Sequence, residues 1–109
     1  MSKEYFVYII KCRDERLYTG ITTDMERRFA EHSGISGNSK GAKFTRANPP
    51  VEIMAVWSCN GRSEASRLEY AIKRLKRIQK LQLIEKEKSL SDLFGDDFEE
   101  CVMRNYIKN

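Results

Sequence analysis

The stretch "YFVYIIKCRDERLYTGIT", residues 5–22, places two phenols, Tyr8 and Tyr18, close to a glycine, Gly20. A strand of a small core would be served as well by Phe or Val. Paired tyrosines beside a glycine therefore have two readings: core residues with hydroxyls at the edge, or one wall of a polar site. Further along, Arg28 and His32 stand four residues apart, on one face of a helix, and read either as a pair that recognises a phosphate or as an arginine beside a structural or merely exposed histidine. His32 is the single histidine in the chain. Glu69 is followed by Lys73, Lys76 and Lys80. Glu69 and Lys73 read either as a surface i,i+4 pair or as a carboxylate for a hard divalent ion beside phosphate-binding ammonium groups. "KGAKFTR" adds Lys40, Lys43 and Arg46 with Phe44 between them, a pattern that suits a nucleic-acid backbone and equally a solvated loop.

These side chains need elements to position them. Tyr5–Cys12 and Leu17–Thr22 are rich in β-formers and are joined by a short polar link, which predicts an antiparallel hairpin. For both tyrosines to share a face, the loop must hold an odd number of residues, such as Arg13, Asp14 and Glu15. Tyr8 then lies opposite Gly20 and diagonal to Tyr18, and Gly20 leaves room beside Tyr8 for a ligand or another backbone. "TDME" predicts a helix capped by Thr23 with Glu26 at its third position, running to about Ser33. Its apolar stripe of Met25 and Phe29 puts Arg28 and His32 at the rim of the core. Residues 34–50 read as a basic loop. Val51–Cys59 is a third strand, followed by a turn and Ser63 as helix cap. A basic amphipathic segment from Glu64 to about Ile84 buries Ala65, Leu68, Ile72, Leu75 and Ile78, with a slip of register near Gln79 that suggests two helices. Residues 88–109 read as one or two short acidic helices with Leu93, Phe94, Phe98 and Val102 as their apolar stripe. The expected architecture is a small α/β domain of the α+β type. It has a three-stranded, largely antiparallel sheet flanked by helices, in the order β-β-α-β-α-α.

Composition bounds the rest. The chain has 109 residues, 40% hydrophobic and 33% charged, enough for one core. No run is long and apolar enough to span a membrane, and the N-terminus lacks a signal-peptide pattern, so a cytoplasmic protein is expected. Cys12, Cys59 and Cys101 are widely spaced without a C-x-x-C, which predicts reduced, partly buried thiols and no zinc site. Residues 1–86 carry 17 Lys and Arg against 10 Asp and Glu, whereas 87–109 carry 3 against 6. A basic body suggests a polyanionic partner. The expected division is a domain over 1–86 with an acidic helical extension, 87–109, packed on it. An alternative has that extension cover the basic face and limit binding.

Taken in order, these residues resemble the GIY-YIG nuclease family, in particular its small single-domain bacterial members. Phe6-Val7-Tyr8 corresponds to the first motif and Tyr18-Thr19-Gly20 to the second. Arg28 and His32 in "RRFAEH" match the family's helix pair, and Glu69 in "RLEYAIKRLK" matches its metal-binding carboxylate. The likeness extends over roughly residues 4–84. It implies hydrolysis of nucleic-acid phosphodiesters, usually in DNA, including structured or damaged DNA in repair or recombination. One Mg²⁺ or Mn²⁺ would be held by Glu69, with no organic cofactor. It further implies that Tyr8 activates water, lowered in pKa by Arg28 and the ion, and that Tyr18 positions water or phosphate. His32 would support the phenols, and Arg28 would stabilise charge on the phosphate. Phe6, Val7 and Thr19 depart from the family's Gly, Ile and Ile without removing a reacting group. The Asn often found about a dozen residues after the Glu is replaced here by the neighbourhood of Gln79, Leu81 and Gln82. With no appended DNA-binding domain, sequence specificity is expected to come from a protein partner. The competing reading is a non-catalytic nucleic-acid-binding module that keeps the fold.

Overall fold

The computed structural model describes residues 4–28 and 50–104. Strands β1 (Tyr5–Cys12), β2 (Leu17–Thr22), β3 (Pro50–Cys59) and β4 (Val102–Arg104) form one antiparallel sheet in the order β2-β1-β3-β4. β1 has a neighbour on each side and both faces covered, which explains why "VYII" is buried without a break rather than alternating. Val7 and Ile9 face one side, with Ala55, Trp57 and Cys59 from β3. Tyr8 and Ile10 face the other, with Met25 and Val56.

The hairpin turn has the odd loop that the tyrosines require. The Cys12 amide donates to the Arg16 carbonyl at 2.9 Å and the Glu15 amide to the Cys12 carbonyl at 2.9 Å, so Arg13, Asp14 and Glu15 form the tip. Glu15 adopts a left-handed conformation (φ 75°), as expected for the closing residue of a three-residue hairpin loop. The resulting register pairs Tyr8 with Gly20 and Ile10 with Tyr18.

Helix α1 (Arg62–Lys73) buries Ala65, Leu68 and Ile72 against the Val7–Ile9 face. The chain breaks at 74–76 and continues as α2 (Arg77–Ile84). Gln79 serves this start, its side-chain oxygen accepting the Lys76 amide at 3.0 Å. The break shifts the apolar stripe of the second half. Leu83 is buried in the core, while Ile78, expected inside, is 61% exposed. α1 begins one residue before Ser63, with Gly61 at the cap position.

The C-terminal segment departs most from expectation. After α3 (Leu90–Phe94) and a 3₁₀ turn (Gly95–Phe98) the described residues continue into β4, a fourth strand where helix was expected. Leu90, Phe98 and Cys101 join the main core. Val102, expected on an apolar stripe, is 49% exposed, because alternation in a strand turns it away from the side that Cys101 occupies.

Candidate active site

The β1–β2 register sets the site. Tyr8 and Tyr18 share a face, their ring centroids 6.5 Å apart. Gly20 lies directly opposite Tyr8, but the space above it is not vacant. A Cβ at residue 20 would sit 2.6 Å from Tyr8 Cζ. What the glycine admits is the Tyr8 ring itself, lying flat across β2, so the expected gap for a ligand or backbone beside Tyr8 is filled by Tyr8. The ring is 1% exposed, held by Ile10, Met25 and Val56.

Residues 25–28 form a helical turn on the same face. Its cap is Asp24, one residue later than expected. Thr22 Oγ1 accepts the Asp24 amide at 3.1 Å, and Asp24 Oδ1 accepts the Arg27 amide at 3.1 Å. Met25 is buried and anchors the turn; three residues on, Arg28 Nε donates to the Tyr8 hydroxyl at 3.4 Å.

Glu69 comes from α1, which packs on the opposite face of the sheet from Tyr8. The helix that carries Glu69 thus lies on the other face of the sheet from the tyrosine rings, yet the carboxylate is near enough to the phenol to add to its upward pKa shift. Glu69 Oε2 lies 3.3 Å from Lys73 Nζ, its side chain 23% exposed.

Burial pushes the Tyr8 phenol up to about 12, with smaller upward contributions from Tyr18 and Glu69; Arg28 opposes but does not win. The expectation that Arg28 lowers this pKa holds in sign only. Desolvation in a site this dry outweighs one cation. At neutral pH Tyr8 is a neutral phenol, with on the order of one molecule in 10⁵ ionised. The same shift links to stability. A folded-state pKa above the unfolded value of 10.0 stabilises the fold fully below pH 10. That contribution is then lost as pH rises through about 12. Between about pH 9 and pH 11 the wild type should lose about 1 kcal/mol more than Tyr8→Phe in urea unfolding. An identical loss in both proteins would contradict the shift.

Of the cationic residues singled out in the sequence, Lys73 and Lys80 are neighbours, although the helix break separates them. Lys80 is lowered in pKa by burial first, then by Arg77 and Lys73. Lys76 is exposed at the start of α2. His32, Lys40, Lys43 and Arg46 lie outside the described residues. The structure adds two arginines that sequence reading passed over. Arg27 and Arg62 line, with Arg28, Tyr5, Thr22 and Thr23, an open pocket of about 390 Å³. The doubled arginine of "ERRF" was the available signal for Arg27; Arg62, at the start of the distant helix α1, offered none.

A sheet whose first hairpin carries paired tyrosines, with an arginine and a glutamate brought in by helical segments, defines the class. The chain belongs to the GIY-YIG family: the profile of the GIY-YIG catalytic domain, a nuclease fold, matches residues 4–82. Within that family it is similar to proteins named UPF0213. The one from Desulfotalea psychrophila is 45% identical over 91 residues, 83% of this chain and 80% of that one. The one from Oceanobacillus iheyensis is 45% identical over 85 residues, 78% of this chain and 94% of that one. A solution NMR structure of UPF0213 protein BH0048 from Bacillus halodurans is 39% identical, covers 85% of this chain and 95% of that one, and superposes with a TM-score of 0.48. Among the described residues no helix is long and apolar enough to cross a membrane.

Proposed function

We propose that this protein is a divalent-metal-dependent endonuclease that hydrolyses phosphodiester bonds in DNA, structured or damaged DNA included, in the cytoplasm. Residues 1–86 carry the activity, and 87–109 form an extension of the same domain. The observation that supports this reading most is geometric: Arg28 Nε bonds the Tyr8 hydroxyl at 3.4 Å, and the Tyr8 and Tyr18 rings lie 6.5 Å apart on the same face.

Glu69 suits a hard cation. It offers a partly exposed carboxylate, and Mg²⁺ or Mn²⁺ commonly takes one or two such groups, completing its shell with water and substrate phosphate. When bound there, the ion supplies positive charge that neutralises the phosphate and favours ionisation of nearby acids. The chain's own groups do the rest. Tyr8 holds the attacking water through its phenol oxygen, oriented by Arg28 Nε, and Tyr18 steadies the same water or a phosphate oxygen. Arg28 faces the charge that grows on the phosphate as water bonds to phosphorus, losing its proton to solvent, and the P–O3′ bond breaks, the leaving O3′ taking a proton from solvent. Arg27 and Arg62 extend this cationic wall, and His32 supports the phenols. Lys40, Lys43, Arg46, Lys73, Lys76 and Lys80 hold flanking phosphates, while a protein partner supplies specificity.

A second reading, a binding module without catalysis, draws on the high Tyr8 pKa and on Gln79 being committed to capping α2. One assay separates the two. Plasmid, flap and junction DNA are incubated with Mg²⁺ or Mn²⁺, with and without chelator. Cleavage that chelator stops supports the nuclease. Salt-sensitive binding without cleavage of any substrate supports the module instead.

A further inference from the structure

A second group of reactive side chains lies at the opposite end of the sheet order from β2. The β3–β4 ladder pairs Val56 with Arg104, Trp57 with Met103 and Ser58 with Val102. Continued by one step, the same register sets Cys59 opposite Cys101. Directly opposed residues of antiparallel strands have Cα atoms ~4.5–5.5 Å apart, inside the range a disulfide spans. The side chains agree with the backbone: the two sulfurs are 2.9 Å apart, both residues are buried, and each is a free thiol. Glu64, in the first turn of α1, completes a group whose ligand atoms lie within 4.8 Å of one another. Such a trio invites a soft metal, but two thiolates on one tetrahedral zinc stand ~3.8 Å apart, from Zn–S bonds of about 2.3 Å. A contact of 2.9 Å suits bond formation between the sulfurs better than shared coordination.

We propose that Cys59 and Cys101 are a modification site, a reversible disulfide that ties the C-terminal strand to β3. The oxidant is a small disulfide such as glutathione disulfide. One protein thiol loses its proton and attacks a glutathione sulfur, forming a mixed disulfide and releasing one glutathione thiol. The second protein thiol then loses its proton, attacks the mixed disulfide at the protein sulfur and releases the other glutathione. Two electrons pass from the cysteine pair to the glutathione disulfide. The bond matters because β4 is three residues long and carries the end of the described chain. It would close a loop of about 40 residues containing α1, α2, α3 and the 3₁₀ turn. Burial raises the pKa of both thiols, and Glu64 adds to the rise, so exchange is slow near neutrality and the equilibrium state is the one to measure.

The reduced protein is equilibrated with glutathione disulfide at mildly alkaline pH, alkylated and mapped by mass spectrometry, and its melting is recorded. The expected result is a mass loss of about 2 Da in the protein and one cross-linked peptide joining Cys59 to Cys101. Cys12 remains the one alkylated thiol. Melting rises by about 10 °C, reversed by reductant and absent in Cys101→Ser. Glutathione left on either cysteine, a disulfide through Cys12, a covalent dimer or unchanged melting of the cross-linked protein would overturn the proposal. So would stoichiometric zinc binding by the reduced protein that blocks both thiols. The wild-type mapping decides even if Cys101→Ser does not fold.

Discussion

Glu69→Ala should retain the fold and lose DNA cleavage by a factor of about 10² to 10³ or more. The structural cost is small. Its pair with Lys73, at 3.3 Å and with the lysine 52% exposed, is worth about 0.3–0.5 kcal/mol. The effect on the phenol even runs the other way: Glu69 raises the Tyr8 pKa, so its removal makes Tyr8 slightly more acidic. A variant with a more acidic phenol that nevertheless fails to cut points to the carboxylate as a holder of the cation. Glu69→Gln should fail equally, since the amide keeps the volume and loses the charge. Lys73→Met should lower the Mg²⁺ concentration needed for half-maximal cleavage, because the ammonium no longer competes for Glu69. Cleavage by Glu69→Ala at the wild-type rate would remove the catalytic reading.

Gly20→Ala should cost about 1–3 kcal/mol of stability and, by displacing the phenol, most of the cleavage. The added methyl would sit 2.6 Å from Tyr8 Cζ and 3.2 Å from Cε1, and the ring has no free side to move toward, being packed by Ile10, Met25 and Val56. A double-mutant cycle in urea isolates the conflict. In a Tyr8→Leu background the ring is gone, and Gly20→Ala should cost at least about 1 kcal/mol less than in wild type. In a Tyr8→Phe background most of the penalty should persist, because Cζ remains. An equal cost in all three backgrounds would mean that the glycine serves the strand for some other reason.

Much of the fold was legible because it rests on local chemistry. The β-formers of Tyr5–Cys12 and the polar tip at Arg13–Glu15 define the hairpin, and parity alone then requires an odd loop for the tyrosines to meet. The slip of register near Gln79 marks a real break, with Gln79 capping the second helix. What escaped reading depends on distant partners. Val102–Arg104 becomes a strand because β3 offers it an edge, a contact between segments more than 40 residues apart.

The candidate site divides in the same way. Its cast of Tyr8, Tyr18, Arg28 and Glu69 is written in the residue types and their order, since phenol, guanidinium and carboxylate chemistry belong to the side chains themselves. Where each points, and how strongly it is solvated, is a tertiary matter. Only the folded sheet lays Tyr8 across Gly20, packs the helix of Glu69 on its other face and makes the pocket dry enough that burial outweighs Arg28. The sequence by itself determined which groups are available; the tertiary structure decided their placement and solvation, because strands and helices far apart along the chain bring them together and exclude water.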